Sequence, residues 1–229
     1  MRLLAVDTLG AALSAALTER GELLTERAER SAHGQAERVL PLLEEVLDAA
    51  GWSWRDPDLL ALTIGPGGFT AIRTGLAVIR ALALAIDRPV VAVGTLEAIA
   101  EAAVDQAGPG PLLALKDLRR EQLAVQAFGP DLAAETDVRL LAREEALAMA
   151  ARAPRLAGEE AGALAAFLEG GKPAIEVGPA ARYVARAACR RLGRGERPVA
   201  GTEVRPFYLR APDAQPAAGK PLVAALAAT

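Results

Sequence analysis

Asp7 follows the apolar run Arg2 to Val6 and opens a turn, Asp7-Thr8-Leu9-Gly10. A carboxylate after the first strand of an α/β unit stands at the carboxyl end of the sheet, where ligands usually bind. There it can hold a magnesium ion or a water near a phosphate, or cap its own turn with its side chain. The second candidate is Gly65-Pro66-Gly67-Gly68-Phe69-Thr70. Its glycines permit positive φ and close approach of a partner. A glycine-rich loop feeding a helix N-terminus binds anions through backbone N–H groups. No Lys-Ser/Thr pair follows, so this is not a Walker A loop, and the G-x-G-x-x-G spacing of a dinucleotide loop is absent. A tight strand-to-helix connection with Thr70 as N-cap needs the same residue types.

His33 and Cys189 are the only residues of their kinds. An intramolecular disulfide is excluded, and a zinc site of three or four protein ligands lacks a second histidine. The expectation is a histidine at a surface or hinge before a helix, and a cysteine that packs as a small, partly buried residue. Arg182, Arg186 and Arg190 recur every fourth residue, and Pro179 to Arg210 holds eight arginines against Glu196 and Glu203. Such a stripe either meets phosphates or forms a solvated helix face. No aromatic platform interleaves it, so the solvated face is expected.

The elements that must position these groups follow from periodicity. Arg2 to Val6, Ala11 to Leu17 and Leu23 to Ala28 are predicted strands separated by turns. From about Gln35 the period changes: Val39, Leu40, Leu43, Val46 and Leu47 share one helix face, which Gly51 ends. Leu59 to Ile64 is a strand, Thr70 to Ile86 a helix, Val90 to Val93 a strand, and Thr95 opens a third helix. Gly108-Pro109-Gly110-Pro111 is a boundary, and Leu112 to Lys116 then repeats Leu3 to Asp7. Gln122 to Phe128 is strand-like, Ala142 to Arg152 and Pro179 to Leu192 helical, and Pro198 to Arg210 extended or irregular. Two α/β lobes are expected, 1–108 and 109–211, followed by a flexible tail, 212–229.

The chain has 229 residues, 52% hydrophobic and 24% charged, with a net charge of -3. This composition excludes disorder, collagen and a global basic field for nucleic acid. Asp7 interrupts the N-terminal apolar run before it reaches signal-peptide length. The apolar stretch Ile72 to Ile86 is shorter than the roughly 20 residues that span a bilayer. A cytoplasmic protein with no membrane partner is expected.

Leu4-Ala5-Val6-Asp7-Thr8, then Gly65-Pro66-Gly67-Gly68-Phe69-Thr70-Ala71-Ile72-Arg73-Thr74-Gly75-Leu76, then Gly94-Thr95-Leu96 resemble the bacterial TsaB (YeaZ) family. His33 before a helix with Leu40-Pro41, Asp117-x-Arg119, and Phe207-Tyr208-Leu209-Arg210 add to the resemblance, which runs from residue 2 to about 210. Gly68 stands where the family has serine, Ala71 where it has glycine, and Leu9 where small or polar residues are common. The resemblance implies an actin/Hsp70-like superfold of two ribonuclease-H-like lobes with mixed central sheets. It also implies an accessory subunit for threonylcarbamoylation of adenosine 37 in tRNAs decoding ANN codons. The implied partners are a catalytic threonylcarbamoyl transferase paralogue of the TsaD kind, a P-loop ATPase of the TsaE kind, and tRNA through the complex.

The paralogue holds its metal through an H-x-x-x-H pair. Here the match is His33 and Glu37, so neither a metal nor a cofactor is expected. A relic nucleotide or phosphate site is expected at Asp7, Thr8, Gly65, Gly67 and Gly68. No Ser-His-Asp or Cys-His grouping supports a protease. The alternative is an enzyme of the same superfold: an ATP-dependent phosphotransferase or a self-sufficient transferase. The helix after the glycine loop is apolar on every side, so it is either a central core helix or a helix with a partner over its outer face. Val39, Leu43, Leu76, Ile79 and Ala83 are expected at that interface, with Arg73 and Arg80 at its rim. Gly75 and the alanines are expected to let a partner helix approach, and a twofold homodimer is expected to use the same face when the partner is absent.

Overall fold

The computed structural model describes residues 1–30 and 35–210. His33 and the expected tail lie outside them. The first half of the chain forms β1 (Arg2–Asp7), β2 (Leu13–Glu19), β3 (Glu22–Glu29), α1 (Gln35–Ala50), β4 (Leu59–Thr63), α2 (Phe69–Ile86), β5 (Val90–Val93) and α3 (Thr95–Ala107). The second forms β6 (Leu112–Asp117), β7 (Gln122–Phe128), β8 (Arg139–Ala142), α4 (Arg143–Ala150), β9 (Leu156–Ala157), α5 (Ala161–Ala165), β10 (Ala174–Ile175) and α6 (Ala181–Gly193). A 3-10 turn at Gly201–Glu203 precedes a strap that runs to residue 210.

Two mixed five-stranded sheets result, ordered β3-β2-β1-β4-β5 and β10-β9-β6-β7-β8. In the first, β1 pairs antiparallel with β2 and parallel with β4. In the second, β6 pairs antiparallel with β7 and parallel with β9. Read outward from β1 and from β6, the two orders are the same. This is the ribonuclease-H-like topology built twice, as in actin/Hsp70-like proteins, and the Leu3–Asp7 and Leu112–Lys116 repeat occupies the central strand of each copy.

Alternation along β1 explains the layers, because successive side chains point to opposite faces. Leu4 and Val6 pack with the inner faces of α1 and α2, whereas Leu3 and Ala5 pack with alanines of α6. The second sheet sets Leu112 and Ala114 against Leu96, Ile99 and Ala103 of α3, and Leu113 and Leu115 against α4 and α5. Each half thus gives its last helix to the other. The helix α3, before the Gly108 boundary, lies on the second sheet, and α6, far beyond that boundary, lies on the first.

The expected outward residues require a correction. Val39, Leu43 and Ile79 are fully buried, and Leu76 and Ala83 nearly so, all in the core between α1, α2 and the first sheet. Apolar character could not separate the sides of α2 because both are apolar; side-chain volume does. Ile72, Leu76, Ile79 and Leu82 fill the sheet face, while Ala77, Ala81, Leu84 and Ala85 are exposed. Of the expected rim, Arg73 is exposed, but Arg80 is half-buried and donates a hydrogen bond to the Val204 carbonyl. By length and composition α2 is apolar enough to cross a membrane, yet its bulky face is part of this core.

Candidate functional site in the cleft between the sheets

A cleft of about 880 Å³ opens between the carboxyl ends of β1 and β6. Its walls are the β1–β2 turn, the start of α2, the β6–β7 turn, Glu159–Glu160 and the strap. Of the five residues expected at a phosphate site, Thr8, Gly67 and Gly68 line this cleft, while Asp7 and Gly65 are buried and are not among its lining residues.

Asp7 is fully buried. Its Oδ1 accepts hydrogen bonds from the Leu9 N–H at 3.2 Å and the Thr63 hydroxyl at 2.5 Å, and its Oδ2 accepts one from the Gly10 N–H at 2.8 Å. Burial pushes its carboxyl above the ordinary range, against those three donors and the Lys116 charge. The capping alternative therefore describes its geometry. Thr63 carried no signal in the sequence, because only the parallel pairing of β1 and β4 brings the two together.

Lys116, the repeat counterpart of Asp7, is 6% exposed. Its ammonium donates to both Glu159 carboxylate oxygens, at 3.2 and 3.3 Å. The first copy therefore carries a buried carboxylate bound to its own backbone, and the second a buried cation paired across its lobe.

Close packing explains Gly65 and Gly75. Gly65 has φ of +120°, and a Cβ there would fall 2.3 Å from the Phe207 carbonyl oxygen. A Cβ on Gly75 would meet the Thr8 hydroxyl at 2.8 Å, and that hydroxyl donates to the Ala71 carbonyl. Gly75 thus makes room for the β1–β2 turn, not for a partner helix. Gly68 is the N-cap of α2, one residue before the helix starts at Phe69, so Thr70 lies within the first turn.

The strap completes the site. Its Val204 is buried in the first core, and its Phe207 N–H donates to the Ile64 carbonyl. At the cleft mouth the Tyr208 ring lies 5.0 Å from that of Phe69. The Arg73 guanidinium sits 3.7 Å over Phe69, and its Nε donates to the Tyr208 hydroxyl oxygen. Farther along, Arg210 reaches Gln122 of β7, so the strap touches both halves.

Five arginines of the stripe are paired within the fold. Arg182 pairs with Glu26 and Arg186 with Asp105. Arg190 meets Glu101 at 2.7 Å, Arg191 meets Glu97 and Glu196, and Arg194 meets Asp131. Burial pushes the Glu101 carboxyl up while Arg190 pulls it down. Cys189 is half-buried beside the α6 core with its thiol pushed up by burial, which leaves little thiolate for chemistry.

Comparison with known proteins places this arrangement. The family model described as tRNA N6-adenosine threonylcarbamoyltransferase matches residues 27–183. The tRNA threonylcarbamoyladenosine biosynthesis protein TsaB of Haemophilus influenzae is 35% identical over 125 residues, 54% of this chain and 52% of that protein. The protein of the same name from Escherichia coli is 35% identical over 119 residues, 52% of this chain and 51% of that one. The chain thus spans about half the length of these curated relatives. YeaZ from Pseudomonas aeruginosa superposes with a TM-score of 0.77 at 27% identity, covering 91% of this chain and 99% of that one. A second P. aeruginosa structure, of an uncharacterized protein similar to peptidase YeaZ, gives 0.80 at 28% identity with the same coverage. The chain belongs to the TsaB/YeaZ family, within the wider family of tRNA N6-adenosine threonylcarbamoyltransferases.

Proposed function

We propose that this chain is a non-catalytic, cytoplasmic subunit in the biosynthesis of tRNA threonylcarbamoyladenosine. It docks a catalytic transferase of the TsaD kind and, through that complex, serves a TsaE-like ATPase and tRNA. The relatives named TsaB support the process. The chemistry supports a subunit without catalysis of its own: His33 is followed by Glu37 instead of a second histidine. Asp7 is bound into its turn, and Lys116 is paired with Glu159.

The observation that carries docking is the outer face of α2. Ala77, Ala81 and Ala85 are exposed there, Leu84 is 77% exposed, and Leu40 of the neighbouring α1 is 49% exposed. A row of small side chains with protruding leucines lets a second helix pair approach closely and bury apolar surface. A second copy of the chain fits the same face as a twofold dimer. The test is reconstitution with the transferase, the ATPase, tRNA and threonylcarbamoyl adenylate. No transfer by the chain alone and strong dependence on its addition are expected. Full transfer in its absence, or transfer by the chain unaided, overturns the assignment.

A further inference from the structure

Aromatic residues are scarce here, only eight in 229, yet three of them, Phe69, Phe207 and Tyr208, line the mouth of the cleft between the sheets. Phe207 and Tyr208 are each 37% exposed. Holding the strap in place takes the buried Val204 and the Phe207 backbone hydrogen bond, and neither requires rings left open to solvent. Facing them from the other lobe is Arg119, on the β6–β7 turn. Its backbone N–H is fixed by the Asp117 carboxylate at 2.7 Å. Among the described residues its guanidinium meets no carboxylate, whereas Arg182, Arg186, Arg190, Arg191 and Arg194 are all paired.

An aromatic shelf opposite an uncommitted guanidinium is the chemistry that receives a base and its phosphate. We infer that the cleft mouth takes one unstacked nucleotide of a single-stranded RNA, its base on the Tyr208–Phe207 shelf and its phosphate against Arg119. The choice of RNA as the source rests on the function proposed above; the nucleoside-phosphate chemistry rests on the cleft. A base held in a duplex has no free face to offer the shelf. The site differs from the expected relic phosphate site in using neither Asp7 nor Gly65.

The test uses the chain alone, with anisotropy of a short fluorescein-labelled single-stranded oligoadenylate, a duplex RNA of equal length, and free AMP as a competitor. Saturable binding of the single strand is expected, with log K falling against log salt at a slope of about −0.7 for one phosphate. Loss of one stacked base through Tyr208→Ala is expected to weaken binding about tenfold, and Tyr208→Phe to retain it. Arg119→Gln is expected to weaken binding and flatten the salt slope. Thermal melts establish that the variants fold. No saturable binding, equal binding of the duplex, or affinity unchanged by both Tyr208→Ala and Arg119→Gln overturns the inference. AMP binding tighter than the strand overturns RNA as the source. Because no transferase is present, failure here leaves the docking proposal standing, and failed reconstitution leaves this site standing.

Discussion

The first sheet sets strands of four to eight residues under helices of 16 and 18 residues; the second repeats its order with two strands of two residues and helices of eight and five. Both copies keep the central antiparallel hairpin and the parallel step beside it, because those set the cleft. They differ in what stands behind. The first copy supports two long helices whose inner faces fill a large core and whose outer faces leave Ala77, Ala81, Leu84 and Leu40 exposed. The second needs only enough layers to hold Lys116, Glu159 and the β6–β7 turn as the opposite cleft wall. The two copies thus share the hairpin at the cleft and differ in the length of the helices that cover it.

The largest effect is expected inside the first core. Ile79→Glu places an unpaired charge where exposure is zero, and a loss of about 4 kcal/mol or more, or failure to fold, is expected in urea unfolding. A variant of near-native stability would return Ile79 to the surface. Matched truncations of the central strands compare the lobes directly. Leu4→Ala is expected to cost about 2–5 kcal/mol, and Leu113→Ala to fall at the low end of that range, since the short α4 and α5 can close over the gap. Equal costs would break the contrast between a thick and a thin lobe.

The two hairpin residues provide the finer comparison. Glu159→Gln strands the buried Lys116 ammonium. A cost of about 1–3 kcal/mol is expected, less than for a wholly buried pair because Glu159 is 35% exposed. Lys116→Met removes the charge with its need for a partner and is expected to cost less. The reverse order would mean that the lysine serves the fold through packing alone. Asp7 has the smallest stability signature, and it depends on pH. Its folded carboxyl lies above the unfolded value, so the folded state holds the proton more tightly. Stability from this group is present at low pH and declines as pH rises through the carboxylate range. Relative to Asp7→Asn, the parent chain is therefore expected to gain stability as pH falls. A constant difference between the two would contradict the burial of an ionising group there.

Much of the frame was legible in the sequence. The bounds of α1, β5 and β7 follow from periodicity and turn residues, and the repeat of Leu3–Asp7 in Leu112–Lys116 marks both central strands. The strands β9 and β10 were not legible, since two residues carry no alternation. The exchange of α3 and α6 was hidden because their alanine-rich faces suit either sheet. At the site, the Asp7 turn and the glycine loop were visible, but Glu159 lies 43 residues from Lys116 and only β-sheet pairing unites them. The orientation of α2 was misjudged because hydrophobicity was the only criterion, while side-chain size distinguishes Ile79 from Ala77.

The outer face of α2 is the central claim, and a substitution there must separate binding from folding. Leu84 is the most exposed large apolar residue in the described structure, so Leu84→Glu is expected to change stability by less than about 0.5 kcal/mol. Titration of this variant into the purified TsaD-like transferase by calorimetry is the direct measurement. If the face docks the transferase, affinity falls at least tenfold, about 1.4 kcal/mol, while the melting curve stays that of the parent. Undiminished affinity from a folded Leu84→Glu chain would contradict the account and move the transferase to another surface.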